Sequence, residues 1–280
     1  MTTISEQIPH IALGEGVQIP QLGFGVFQVP PRQTAGVVAQ ALQAGYRHID
    51  TAAAYRNEQG VGQAIGESGL SREQVFVTTK CFNDDQGYEQ AQRACSASLE
   101  RLGFEFVDLY LIHWPVPAHD LYAETWRAFV ALHRQGRAHA IGVSNFKEAH
   151  LRRVIEDSGV APSINQVELH PYFQQRQLRE LHAELGIVTE AWSPLAQGAV
   201  LEDPTIAAIA GEHGKSAGQV VIRWHLQLGN VVIPKSVTPA RIRENIDVFD
   251  FELDDAQMEA IAGLDRGERT GPDPDTFVRP

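Results

Sequence analysis

Apolar residues in this chain fall into short, nearly unbroken runs, separated by longer stretches in which they recur every three or four positions. The runs occupy residues 23–26, 47–49, 75–79, 107–112, 139–143, 163–167, 187–191 and 231–233. Most are too continuously apolar for a sheet with one wet face, so they read as strands buried on both sides. Helical stripes lie between them. Over 88–102 the apolar or small positions are Ala91, Cys95, Ser98, Leu99 and Leu102, with Gly103 as a stop. Trp126, Phe129, Val130 and His133 repeat the spacing before Gly136, and Leu151, Val154 and Ile155 precede Gly159.

Eight strands, each followed by helical or helix-like sequence, predict an α/β fold of the (β/α)8 barrel type, one domain spanning 1–280 with no linker or repeat. Ahead of the barrel, 10–13 and 17–19 are joined through Gly14, Glu15 and Gly16, which predicts a small hairpin placed to plug the floor. The Gly-, Pro- and Asp-rich segment 263–280 predicts an irregular tail near a barrel end.

Composition narrows the possible roles. At 280 residues and 43% hydrophobic content the chain can bury a sizeable core, and a formal charge of −12 argues against general binding to nucleic acid or anionic membranes. The first 16 residues lack a basic start followed by an apolar run, and no stretch approaches bilayer length, so the expected location is the cytoplasm. Cys81 and Cys95 fit no metal-ligand spacing, and no metal site is expected. Cys81 would be redox-sensitive only if exposed, whereas Cys95 falls on a helix stripe.

Barrel enzymes place their chemistry where strands end at the C-terminal face. Asp50 ends the second strand, Tyr55 lies in the loop after it, Lys80 ends the third and His113 ends the fourth. Taken singly, each has an ordinary structural reading: an ion pair for Asp50 and Lys80, packing for Tyr55, and a satisfied buried imidazole for His113. Their joint placement points to one pocket.

These residues sit in longer motifs. Gly-Tyr-Arg-His-Ile-Asp-Thr-Ala at 45–52 runs on through Tyr55 to Asn57 and Glu58, Thr-Thr-Lys ends at Lys80, and Leu-Ile-His-Trp-Pro spans 111–115. Ile-Gly-Val-Ser-Asn-Phe spans 141–146 and Val-Ile-Pro-Lys-Ser spans 232–236. Together, from about residue 19 to 264, they resemble the aldo-keto reductases. Trp192, Ser193, Pro194 and Leu195 echo the Trp-x-Pro-Leu of the bacterial 2,5-diketo-D-gluconate reductase group.

The resemblance implies a catalytic tetrad of Asp50, Tyr55, Lys80 and His113. Reduction of a carbonyl needs a hydride at carbon and a proton at oxygen, and Tyr55 would give the proton. A neighbouring Lys80 cation would favour the phenolate and bring the acid nearer working pH, Asp50 would hold Lys80, and His113 would orient and polarise the carbonyl oxygen.

No G-x-G-x-x-G run follows a strand, and the glycines at 211 and 214 stand too close together for a P-loop, so 211–216 reads as a polar turn between helices. The cofactor signal lies instead after the last strand, where barrels commonly bind phosphate and where a helix starting near Thr238 or Pro239 adds its N-terminal dipole. By resemblance Lys235, Ser236 and Arg241 would grip the adenosine 2′-phosphate, Glu244 and Asn245 would meet the adenine, and Val237 would also line the cofactor site. That favours NADPH. The resemblance also implies Ser144, Asn145 and Gln166 as carboxamide-binding residues and Trp192 as the stacking aromatic, where most relatives carry Tyr. Ser193, Leu195, Gln197 and Gly198 would line the loop over the pyrophosphate.

Phe24, Phe82 and Trp114, with Asn83, occupy positions resembling the family's pocket walls. A short tail with no bulky cluster beyond Phe277 predicts an open pocket that accepts aldehydes, dicarbonyls, keto esters or diketo sugars. Two other readings compete: a metal-dependent barrel hydrolase using Asp50, His113, His170 and Glu190, and a non-catalytic NADPH-binding sensor or partner subunit. Family resemblance favours a monomer with a small-molecule carbonyl substrate.

Overall fold

Each apolar run becomes a parallel strand, because a segment apolar on both faces escapes water only between two layers. The computed structural model describes residues 4–278. A single helical turn α1 (Ile4–Gln7) leads into an antiparallel hairpin of β1 (His10–Gly14) and β2 (Val17–Pro20). The barrel strands follow as β3 (Phe24–Gly25), β4 (His48–Asp50), β5 (Phe76–Cys81), β6 (Val107–Ile112), β7 (Ala138–Ser144), β8 (Ile164–Glu168), β9 (Val188–Trp192) and β10 (Val231–Val232). Between them run α2 (Pro31–Ala44), α3 (Glu58–Glu67), α4 (Tyr88–Leu102), α5 (Tyr122–Arg134), α6 (Glu148–Ser158) and α7 (Arg176–Leu185). After β9 come α8 (Pro204–His213) and α9 (Ala217–Gln227), and after β10 come α10 (Pro239–Ile246) and α11 (Asp255–Ala262).

The eight strands lie in sequential parallel order from β3 to β10. The first and last meet through a parallel bridge between Leu22 and Val232, with Val232 N donating to Gln21 O (2.9 Å) and Gly23 N to Val232 O (2.9 Å). The regular parts of β3 and β10 are two residues each, shorter than the apolar runs around them.

Two apolar clusters divide the molecule. Phe76, Leu109, Leu111, Ala140, Ile164 and Val231 alternate along their strands and meet Leu13 and Ile19 of the hairpin, so the hairpin closes the barrel floor. The larger cluster fills the layer between strands and helices and includes Tyr46, Tyr110, Trp126, Phe129 and Trp224. Helix α4 keeps its expected bounds and ends on Gly103 in left-handed conformation (φ 72°). The turn expected over 211–216 is shorter, because residues 211–213 complete α8 and only 214–216 connect the helices: Gly214 caps α8, and Ser216 caps α9 by accepting from Gln219 N. Among the described residues no helix is long and apolar enough to cross a membrane.

The sharpest packing constraint between helices falls at Gly62 of α3, where a Cβ would lie 1.9 Å from the Leu102 carbonyl oxygen that closes α4. Backbone cannot yield as a side chain does. Gly62→Ala should therefore destabilise the fold by about 1–3 kcal/mol, read as a lowered denaturation midpoint. An unchanged midpoint would show that the two helices separate freely.

Candidate active site

The strand ends bring four of the expected residues together. Adjacent parallel strands pair Gly25 with Asp50 and Asp50 with Thr78, which carries Lys80 up beside Asp50. Lys80 is wholly buried, and its Nζ donates to Asp50 Oδ1 (2.7 Å), Asp50 Oδ2 (2.8 Å) and the Thr51 carbonyl (2.9 Å). All three ammonium protons are thereby satisfied. The same ammonium lies 5.2 Å from the centroid of Tyr55, which a 3₁₀ turn (Ala53–Tyr55) sets at the rim. His113 meets Tyr55 edge-on at 5.6 Å.

Burial would lower the Lys80 pKa, yet Asp50 more than offsets it and keeps the ammonium above the ordinary lysine value. Burial raises the Tyr55 phenol, and Lys80 pulls it back only in part. The net direction for Tyr55 is upward, opposite to the expectation from Lys80 alone, because desolvation of the phenolate is the larger effect. Burial, reinforced by Lys80, pushes the His113 imidazole well below its usual range, so it is neutral. Its Nδ1 is buried and meets no protein partner.

A second set lies along the next strand ends. Ser144 Oγ donates to Gln166 O (2.8 Å), Asn145 Nδ2 donates to His113 O (2.9 Å), and Gln166 Nε2 donates to Asp50 Oδ2 (2.8 Å). Trp192 is half-buried at the end of β9, and its indole N–H donates to Asn145 Oδ1 (2.8 Å), which fixes the ring's tilt. Non-glycine residues adopt left-handed φ at Val116 (44°), Asn145 (65°), Ser193 (52°) and Gln197 (55°). Such strain persists only where the surroundings enforce it, and the loops after β6, β7 and β9 hold it, as do Gln28 after β3, Arg56 after β4 and Gln175 after β8. Leu195 packs on the core, while Gln197 and Gly198 sit on the outer part of the last loop.

Lys235, Val237 and Arg241 are exposed around the start of α10, whereas Ser236 and Asn245 are buried and Glu244 is half-buried. Among the described residues neither Lys235 nor Arg241 has a carboxylate partner. In a chain of net charge −12, two cations without carboxylate partners stand at a helix N-terminus, a place that favours anions.

The family model described as the aldo/keto reductase family matches residues 21–266. The chain belongs to that family. It is 56% identical over 269 residues to an aldo-keto reductase of Mycobacterium sp. (strain KMS), covering 96% of this chain and 98% of that protein. It is 51% identical over 269 residues to the methylglyoxal reductase DkgA of Escherichia coli (strain K12), covering 95% and 97% respectively. Among solved structures, an aspartate-to-alanine variant of Gox0644 in complex with NADPH is similar, with TM-score 0.94, 49% identity, and 97% of this chain and 99% of that one covered.

Within this aldo-keto reductase, Phe24 is not at the pocket wall where the sequence reading put it. It is fully buried between sheet and helices, edge-on to Tyr46 (5.3 Å), because strand alternation turns it outward. The aromatic beside Tyr55 is instead Phe27, at 5.1 Å and 55% exposed. An exposed Phe two residues beyond a strand gives no periodic signal, so sequence reasoning passed over it. Phe82 meets His113 at 5.7 Å, and Trp114 lies 6.5 Å from Trp192. Cys81 is fully buried and its thiol is pushed up by burial, so it lacks the exposure that oxidation would need. Asp50, His113, His170 and Glu190 do not form a metal set: Asp50 is spent on Lys80, His170 bonds Glu168, and among the described residues no three metal-ligating groups meet.

The tail reaches further over the site than its composition implied. Buried Glu168 accepts from Thr270 N (2.5 Å), Thr270 Oγ1 (2.6 Å), Gly271 N (3.1 Å) and His170 Nε2 (3.1 Å). Gly271 passes so close to Trp192 that a Cβ would lie 2.5 Å from the indole. Lys147 pairs with Asp273 and Asp275 at 2.6 Å each, and Phe277 packs on Trp114 at 4.3 Å.

Burial would raise the Glu168 carboxyl, but the bonds from His170, Thr270 and Gly271 hold it below the ordinary range. A depressed carboxyl pKa gives stabilisation that is complete above the unfolded glutamate value and is lost as pH falls through the folded one. Amide exchange across 269–277, corrected for intrinsic rate, should therefore quicken on acidification and already be fast at neutral pH in Glu168→Gln. Equal protection in the variant and the wild type at neutral pH would refute the clamp.

Proposed function

We propose that this protein is an NADPH-dependent carbonyl reductase that converts aldehydes and ketones to alcohols, with Asp50, Tyr55, Lys80 and His113 as its catalytic group. The observation that carries the reading is Lys80, buried and locked onto Asp50 beside the Tyr55 ring, with neutral His113 edge-on to the same ring.

When bound, NADPH supplies a hydride to the carbonyl carbon. Tyr55 donates its phenolic proton to the oxygen, and the adjacent Lys80 cation stabilises the phenolate left behind. Asp50 holds Lys80 in position and charged. His113, neutral through burial, keeps a ring nitrogen available to hydrogen-bond the carbonyl oxygen and orient it. Lys235 and Arg241, free of carboxylate partners, fit a phosphate on the adenosine ribose, with Ser236 and Val237 beside them and Glu244 and Asn245 at the base. Ser144, Asn145 and Gln166 offer the hydroxyl and amide groups that a carboxamide needs, and Trp192 offers the stacking face. The residues present fit the cofactor.

Phe27, Phe82, Trp114 and Phe277 make the approach to Tyr55 aromatic, which suits small aldehydes, dicarbonyls and keto esters, and the DkgA relatives support a dicarbonyl such as methylglyoxal as substrate. We also propose that the chain acts as a monomer in the cytoplasm, which sedimentation of the purified protein tests for assembly.

Tyr55→Phe should lower kcat for methylglyoxal reduction by about 10²–10⁴-fold while leaving NADPH fluorescence quenching intact; a variant as fast as wild type removes Tyr55 from the mechanism. Binding of NADPH without turnover by the wild type would favour the sensor reading instead. Lys235→Ala and Arg241→Ala should each raise KM for NADPH by about tenfold, roughly 1.4 kcal/mol, and leave KM for NADH nearly unchanged. Equal effects on both cofactors would move the phosphate site elsewhere.

A further inference from the structure

Below the four clustered residues, the barrel interior holds a carboxyl group that the proposed reaction does not use. Glu190 sits in the middle of β9, paired in register with Gln166 on β8 and Val231 on β10, and is wholly buried. Neither carboxyl oxygen meets a donor at full hydrogen-bonding distance and angle, and the Gln166 amide beside them favours the charged form less than burial disfavours it. Among the described residues the basic group within 4 Å is His48 of β4, whose Nε2 lies 3.9 Å from Glu190 Oε1 and is engaged by Thr78 Oγ1 at 3.1 Å. Gln166 spends an amide hydrogen on Asp50.

The charges facing this space can be counted element by element. From β4 come His48 and Asp50, from β5 Lys80, and from the turn after β4 Tyr55. Gln166 on β8 is neutral, and Val231 and Val232 on β10 offer nothing that titrates. Burial holds His48 down to about 3, so it is neutral and cannot serve as a counter-ion. Among the described residues Lys80 is the single cation facing this space, and it is already bonded to both oxygens of Asp50. A second carboxylate here would be a buried, unpaired charge, which is strongly unfavourable.

We propose that Glu190 is a positioning residue of this active site: a buried acid that keeps its proton, so that one anion, Asp50, faces one cation, Lys80, beneath Tyr55. Burial, and then the Asp50 charge, push the Glu190 carboxyl up to about 8, with Gln166 and Lys80 offsetting part of the rise. Ionisation above that pH adds a negative charge that raises the Tyr55 pKa further and makes it a weaker acid. Reduction should therefore slow as pH rises through the Glu190 ionisation. This rests on Tyr55 acting as the proton donor, but the protonation state itself can be read without turnover.

Infrared difference spectra between wild type and Glu190→Gln test it first. A protonated-carboxyl band should be present in the wild type at pH 6.5, vanish from the wild type as pH is raised past about 8, and be absent from the variant throughout. A wild type already ionised at neutral pH overturns the proposal. In kinetics, the downward step in kcat above neutral pH should be present in the wild type and missing in Glu190→Gln, and a variant that keeps the step also overturns it. If the variant does not fold, pH titration of the wild-type band decides alone. Failure of Tyr55→Phe to slow the enzyme would sink the carbonyl-reductase mechanism while leaving the infrared result standing.

Discussion

The structure depends on one buried ion pair. Lys80 is among the largest fully buried side chains in the molecule, and an ammonium held there without Asp50 would be uncompensated. Removing one partner of such a pair typically costs about 3–5 kcal/mol. The barrel supports the pair by surrounding it with apolar strands, by closing its own floor with the hairpin, and by directing the Thr51 carbonyl and the Gln166 amide at the two partners. In return the pair places a positive charge 5.2 Å from the Tyr55 ring, where the proposed proton transfer would leave a phenolate.

Low dielectric makes that charge effective and also makes every other ionisable group nearby conditional. His113 and His48 are both driven neutral, the Tyr55 phenol is raised, and the Glu190 carboxyl is raised. These shifts share one physical origin, desolvation of charged forms inside a closed sheet. The site therefore combines a single cation with weak, neutral hydrogen-bonding groups. That combination suits proton delivery to an oxygen that becomes charged only as the hydride arrives.

Around this rigid centre the variable parts are loops. Left-handed backbone at Val116, Asn145 and Ser193 holds side chains at angles that regular strands could not offer. The tail is tied to the same scaffold by the Glu168 carboxyl and passes over Trp192 to seat Phe277 on Trp114. The tail and the residues proposed to hold the cofactor and substrate thus share Trp192 and Trp114 as common supports.

The sequence by itself determined the architecture and the four clustered residues. Doubly buried strands must be continuously apolar, helices must show a stripe, and the polar residues interrupting a buried strand at its end must serve some purpose, so Asp50, Lys80 and His113 stood out. The helix bounds at 88–102 and the turn before Ser216 followed from glycine positions and capping residues that act locally, though α8 runs on to His213. Only the tertiary structure decided which aromatic faces the site. Alternation turns Phe24 into the helix layer and leaves Phe27 beside Tyr55, a difference set by strand register rather than residue type. Only the fold, likewise, brought Thr270 to Glu168 and set Glu190 against Asp50, since contacts between residues over a hundred positions apart leave no local pattern, and a carboxyl's proton depends on which charges the closed barrel gathers around it.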